Sequence, residues 1–97
     1  MPTLIWRAEN GQKEHYPISK SITSIGADNS CDICIKNANL HDRHIQLVFD
    51  KKHFIAVSDN GLDCIIEGGK ARRKIKLGHD HRFQLGDLEF IFSMLAP

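Results

Sequence analysis

Ile45-Gln46-Leu47-Val48-Phe49, Asp50-Lys51-Lys52, His53-Phe54-Ile55-Ala56-Val57 is the stretch that decides the fold. Two short runs rich in β-branched and aromatic residues flank a polar reversal, which is the signature of strand, turn and strand. The reading extends in both directions. On the N-terminal side, Thr3 to Ala8 alternates, with Leu4 and Trp6 on one face and Ile5 on the other. Tyr16 with Ile18, Ile22 with Ser24, and Ile33 with Ile35 keep the period of two. On the C-terminal side follow Asp63-Cys64-Ile65-Ile66-Glu67, Arg73-Lys74-Ile75-Lys76-Leu77, Arg82-Phe83-Gln84-Leu85 and Leu88-Glu89-Phe90-Ile91-Phe92. No window of about 11 residues carries a period of 3.6, so no helix is expected.

The turn residues agree. Asn10-Gly11, Asn60-Gly61, Gly68-Gly69 and Gly86-Asp87 punctuate the runs, as glycine and short amides do where φ must be positive. Turns recurring about every 8–12 residues favour an antiparallel sandwich or barrel over βαβ units. The longest segment without strand character is Lys36-Asn37-Ala38-Asn39-Leu40-His41-Asp42-Arg43. A polar loop of that length on a β scaffold is where function is expected.

Composition bounds the rest. At 97 residues the chain supports one core, so a single domain over residues 1–97 is expected, with Ala96-Pro97 as its edge. Thirteen Lys and Arg stand against 12 Asp and Glu, a net charge of +1, which gives no electrostatic drive towards nucleic acid. No apolar run approaches the roughly 20 residues of a membrane span, and the N-terminus has no signal-peptide pattern. Three cysteines in that context read as thiols and place the chain in the cytoplasm.

Three fragments in order resemble the forkhead-associated (FHA) domain. They are Ile22-Thr23-Ser24-Ile25-Gly26 followed by Cys31-Asp32-Ile33-Cys34-Ile35; His41-Asp42-Arg43-His44 leading into Ile45; and Ser58-Asp59-Asn60-Gly61. Leu77-Gly78-His79-Asp80 and Phe83-Gln84-Leu85-Gly86 resemble the family's closing hairpin. The resemblance implies an antiparallel β-sandwich of about 10–11 short strands, acting as a non-catalytic protein-interaction module within a longer, bacterial-type signalling or secretion protein. It also implies recognition of phosphothreonine peptides, and there this sequence departs from the pattern. The family's Arg after the strand-ending Gly is Ala27 here, its loop Ser is His41, and the neighbouring Arg is Asp42. A phosphate carrying −1.5 to −2 charges seeks a forked Arg, a hydroxyl or backbone donors, and an aspartate repels it.

The expectation is therefore a module that binds protein without phosphate. Asn60 fixes the peptide backbone in the family. Arg43, one residue from the expected Arg, and Lys36 or His41 are the substitute cations through which phosphothreonine reading would survive. Ser58 completes the binding set. Gly26 and Gly61 are expected as turn glycines and His44 as a loop hydrogen-bonder. The working surface is expected where Gly26–Ser30, Lys36–His44 and Ser58–Asp63 meet. The partner is a protein segment, with no nucleic acid, no membrane insertion and no cofactor.

Cys31-x-x-Cys34 with His41 and His44 has the residue types of a zinc site, but its spacing is too short. Cys31, Ile33 and Ile35 are expected on the buried face of a strand and Cys34 on the other, as ordinary small side chains. Lys70-Ala71-Arg72-Arg73-Lys74-Ile75-Lys76 concentrates five cations. Without interleaved aromatics it reads as a solvated hairpin with Ile75 and Leu77 inward, or as a surface for an acidic protein. No nucleophile elbow, phosphate-cradling loop or paired carboxylate is present, so no enzyme is expected. His15, His53, His79 and His81 are placed at strand ends and turns.

Overall fold

A computed structural model describes residues 1–95; the Ala96-Pro97 edge lies outside the described residues. Among the described residues, eleven strands and no helix form two packed sheets. In chain order they are β1 (Thr3–Arg7), β2 (Lys13–Pro17), β3 (Ile22–Gly26), β4 (Ile33–Cys34), β5 (Ile45–Phe49), β6 (Phe54–Ser58), β7 (Ile65–Glu67), β8 (Lys70–Arg72), β9 (Lys74–Leu77), β10 (His81–Leu85) and β11 (Leu88–Ser93). One sheet runs β2-β1-β11-β10-β7-β8 and the other β4-β3-β5-β6-β9. Every pairing is antiparallel except β3 with β4. The antiparallel β-sandwich implied by the sequence is the architecture observed.

The deciding hairpin is β5 with β6, in register Ile45↔Ser58 to Phe49↔Phe54. Its reversal works through Asp50, whose Oδ1 accepts the N–H of Lys52 at 3.0 Å and of His53 at 2.6 Å, with Lys51 at φ 78°. Those backbone donors hold the Asp50 carboxyl below the usual range. Inward residues of the two sheets meet in one core. Phe83, Phe90 and Phe92 come from one side; Ile25, Ile45, Leu47 and Ala56 from the other. Phe83 and Phe90, cross-strand partners, stack with centroids 5.5 Å apart. Each fully buried side chain of this size stabilises by about 1.5–3 kcal/mol relative to exposure. Trp6 and Tyr16 pack half-buried against that core.

Four readings are corrected. The basic stretch is not one hairpin. Lys70–Arg72 pairs with β7 in the first sheet, and after Arg73 the chain crosses to the second sheet as β9. Ile75 and Leu77 do point inward. The strand at Cys31–Ile35 shrinks to Ile33–Cys34, with Cys31 buried in the preceding loop and Cys34 exposed. Third, Gly26 is not a turn glycine. Its φ is not positive, but an added Cβ would lie 2.1 Å from the Asp42 carbonyl oxygen, so glycine serves a close backbone crossing. Lastly, His15 lies mid-strand in β2 and not at a strand end, whereas His81 does open β10, in contact with the Glu67 carboxylate.

Candidate functional site

The β3–β4, β4–β5 and β6–β7 loops are knit together at one end of the sandwich. The Ala27 N–H donates to the His41 carbonyl at 3.0 Å, and the Asp28 N–H to the Asp42 carbonyl at 3.0 Å. His44 donates from its backbone to Ile25 at 2.9 Å, and Asp59 donates to His44 at 3.1 Å. This chain of bonds passes beneath Gly26, where a side chain has no room.

His44 is the side chain that locks the arrangement. It is 3% exposed. The His41 N–H donates to its Nδ1 at 3.1 Å, and its Nε2 lies 3.0 Å from the Cys64 carbonyl. An accepting Nδ1 requires the proton on Nε2, so the ring is neutral and bridges two loops. Burial pushes its pKa below the ordinary histidine value.

Asp32 does the same for the base of β3. It accepts the Ser24 N–H at 2.9 Å and the Ser24 hydroxyl at 3.1 Å, and pairs with Lys20 Nζ at 2.5 Å. The Lys20 ammonium holds the Asp32 carboxyl low, and Asp32 in turn raises the lysine.

Asn60 turns outward from the β6–β7 loop. Its Oδ1 accepts the Leu62 N–H at 3.0 Å and the Ser58 hydroxyl at 2.8 Å. A backbone N–H needs an oxygen acceptor, so Nδ2 is the free end, able to donate to a peptide carbonyl. Gly61 follows at φ 75°. The Ser58 hydroxyl points to Asn60, so Ser58 positions the amide and does not itself face outward.

The cations are engaged. Arg43 donates Nε–H to Asp59 Oδ2 at 2.9 Å and an Nη1–H to Ser30 Oγ at 3.3 Å. Ser30 in turn bonds the Asp28 carboxylate, which the Ser30 hydroxyl holds below its ordinary pKa. Lys36 Nζ donates to the Ala27 carbonyl at 2.7 Å, bringing a charge beside the residue that lacks one. The His41 ring is exposed and lies 4.8 Å from that of His44. The loop end thus carries Arg43 and Lys36 against the carboxylates of Asp28, Asp42, Asp59 and Asp63, the last paired with Arg73 at 3.3 Å.

The zinc set is not brought together. Cys31 Sγ donates to the Asp42 carbonyl at 3.2 Å, Cys34 Sγ lies by the Ala27 carbonyl at 3.6 Å, and both ring nitrogens of His44 are occupied. Among the described residues no group of three or more His, Cys, Asp or Glu is placed to hold a metal. Burial raises the Cys31 thiol pKa, which disfavours the thiolate that a metal needs. The residues that sequence reasoning did not single out are Asp59, Ser30 and Asp28, which surround Arg43. Nothing in their local pattern separates them from ordinary turn residues.

No protein-family model matches the sequence, and no curated protein matches it either. Solved structures do match in fold. The Slr1951 protein from Synechocystis sp. superposes with a TM-score of 0.85 at 16% identity, over 99% of this chain and 97% of that one. EmbR of Mycobacterium tuberculosis, solved in complex with a low-affinity phosphopeptide, gives 0.80 at 20% identity, over 98% of this chain and 25% of that one. The FHA domain of FhaA, solved with the intracellular domain of Rv3910, gives 0.79 at 16% identity, over 95% and 99%. With eleven strands in two sheets and these superpositions, the chain has the fold of the forkhead-associated domains.

Proposed function

We propose that this chain is a non-catalytic protein-interaction module that binds a peptide segment at its loop end without requiring phosphate. The observation that carries the reading is the state of Arg43. Its Nε is occupied by the Asp59 carboxylate, and Asp28, bonded to the same Ser30 that Arg43 contacts, adds negative charge beside it. A phosphate dianion approaching Arg43 meets the Asp59 and Asp28 carboxylates, and Arg43 and Lys36 both already donate to protein acceptors. Asn60 Nδ2 remains a donor for a peptide carbonyl, and the His41 ring adds an exposed aromatic edge. EmbR and FhaA, which share the fold, were solved with a phosphopeptide and a protein domain respectively, which supports a protein as the partner. The three free thiols fit a reducing cytoplasm, and among the described residues no helix is long and apolar enough to cross a membrane. The chain is read as one domain of a longer protein.

A phosphothreonine reading has its own support: Lys36 Nζ sits at Ala27, and Arg43 with Ser30 pairs a guanidinium with a hydroxyl. One titration separates the two. Matched degenerate peptide libraries, threonine and phosphothreonine, are presented to the protein. Selected unphosphorylated sequences are expected to bind as tightly as their phosphorylated counterparts, with Asn60→Ala weakening both. Binding confined to phosphothreonine and lost in Arg43→Ala would establish the second reading.

A further inference from the structure

A groove of ≈ 480 Å³ lies beside the loop end, between the β1–β2 ribbon and the segment leading from β4 into the following loop. Asn60, Arg43, His41 and Ser58 do not line it. Trp6 and Glu14 are direct cross-strand partners, so their side chains stand together on one face of the ribbon. Trp6 packs partly on the core, 5.7 Å from Phe90, and partly along the groove. Leu88 and Ile35 supply apolar wall.

The charged groups lining the groove are Glu9, Glu14 and Lys36, an excess of one negative charge. Glu14 is half-buried, Glu9 is exposed, and neither is in an ion pair among the described residues. Arg7 and Lys13, the next pair along the ribbon, alternate to its other face. The one cation on the lining is Lys36, whose ammonium is held by the Ala27 carbonyl. Glu14 is thus a carboxylate on the groove wall with no protein counter-ion among the described residues, available to a ligand cation.

A second, independent feature is Asn37, which is 8% exposed and lines the same groove. Its Oδ1 accepts the Asn39 N–H at 2.8 Å, which sets the amide orientation. Its NH2 has no hydrogen-bond partner among the described residues. The amide donors are open to solvent at the groove and so available to an acceptor that enters it.

We propose that this groove is a second binding site, one that takes an arginine or lysine side chain of a basic peptide segment. Trp6 receives the cation on its indole face and Glu14 and Glu9 pair with it. The Asn37 amide donates to a backbone carbonyl of the same segment. The chemistry is opposite to that of a phosphate site: a peptide reader's loop end and a cation groove side by side contact different parts of a partner.

The chain has one tryptophan, whose indole lines both this groove and the neighbouring cavity at Arg7, Lys13 and Arg82, so the Glu14 and Asn37 amides locate the response. The test titrates the protein with a blocked Gly-Arg-Gly peptide and with the same peptide carrying citrulline, which keeps shape and removes charge. Trp6 fluorescence and its indole N–H resonance are followed, together with the amide resonances of Glu14 and Asn37. Saturable shifts with the arginine peptide and none with citrulline are expected. Glu14→Gln, a near-isosteric change, is expected to weaken binding roughly tenfold while leaving the unfolding midpoint in place. Equal response to citrulline, no movement of these resonances at millimolar arginine peptide, or undiminished binding by Glu14→Gln would overturn the proposal.

Discussion

Arg43 and Asp59 are joined across two loops, guanidinium Nε to carboxylate Oδ2 at 2.9 Å. The pair closes the β4–β5 loop onto the β6–β7 loop and, in doing so, engages the Nε that a side-on bidentate phosphate contact would use. With Arg43 45% exposed, such a pair contributes little to stability, about 0–1 kcal/mol. Its consequence is for binding.

Asp59→Asn is accordingly expected to leave the unfolding midpoint almost unchanged and to raise affinity for a phosphothreonine peptide about fivefold, the scale of a surface ion pair removed from competition. Calorimetric titration of both proteins with one phosphorylated and one unphosphorylated peptide checks it. An unchanged phosphopeptide affinity would show that Asp59 does not compete for Arg43.

His44 makes stability depend on pH. Its folded pKa lies below the ordinary value, so between the two the unfolded chain binds the extra proton. Stability is then complete above about pH 6.5, is lost as pH falls below that value, and levels off once the folded ring also protonates. The change is measured as the unfolding midpoint of wild type minus that of His44→Gln across pH 7.5 to 5, since the other five histidines cancel in the difference. At neutral pH, His44→Ala is expected to cost about 1–3 kcal/mol by leaving the His41 N–H and the Cys64 carbonyl unpaired.

Gly26 and Gly78 give a paired test. A methyl at Gly26 would meet the Asp42 carbonyl oxygen at 2.1 Å, whereas one at Gly78 has open space within 4 Å. Gly26→Ala is expected to destabilise by about 3 kcal/mol or to displace the 41–44 loop, the upper range for overpacking. Gly78→Ala should stay within about 0.5 kcal/mol of wild type, as surface changes do. Urea unfolding of the two variants decides between this account and one in which Gly26 is only a turn residue.

Thr23 Oγ1 is buried and has no hydrogen-bond partner among the described residues. Thr23→Val keeps the shape and removes the unpaired hydroxyl, so it is expected to stabilise by about 1 kcal/mol. A lower denaturation midpoint in the variant would mean that the hydroxyl is satisfied in solution.

Strands whose buried side chains alternate were legible directly, because one face of each turns into the core: β5, β6, β9, β10 and β11 follow the quoted runs. β8 was not, since Lys70, Ala71 and Arg72 are all exposed and the strand exists through its backbone pairing with β7. A strand held only by its ladder leaves no apolar period to read. The same limit hid the sheet change at Arg73, which depends on where β6 and β7 lie.

The loop end divides the same way. Its membership was readable, because ordered motifs on a β scaffold place distant turns at one end. His44 makes the loop hydrogen bonds expected of it. What the local pattern did not contain was the partner of Arg43, the reason for Gly26, and the meeting of Trp6, Glu14 and Asn37. Each is a contact between segments far apart in sequence.

The amino-acid sequence by itself determined the all-β class, the turns and the residues offered to the loop end, since these follow from side-chain period and local backbone preference. Only the tertiary structure decided where the charges lie: Arg43 on Asp59, Lys36 on the Ala27 carbonyl, and Glu9 and Glu14 without a counter-ion among the described residues. Electrostatic pairing falls off with distance through space, not along the chain, so it is settled when the sheets pack and not before.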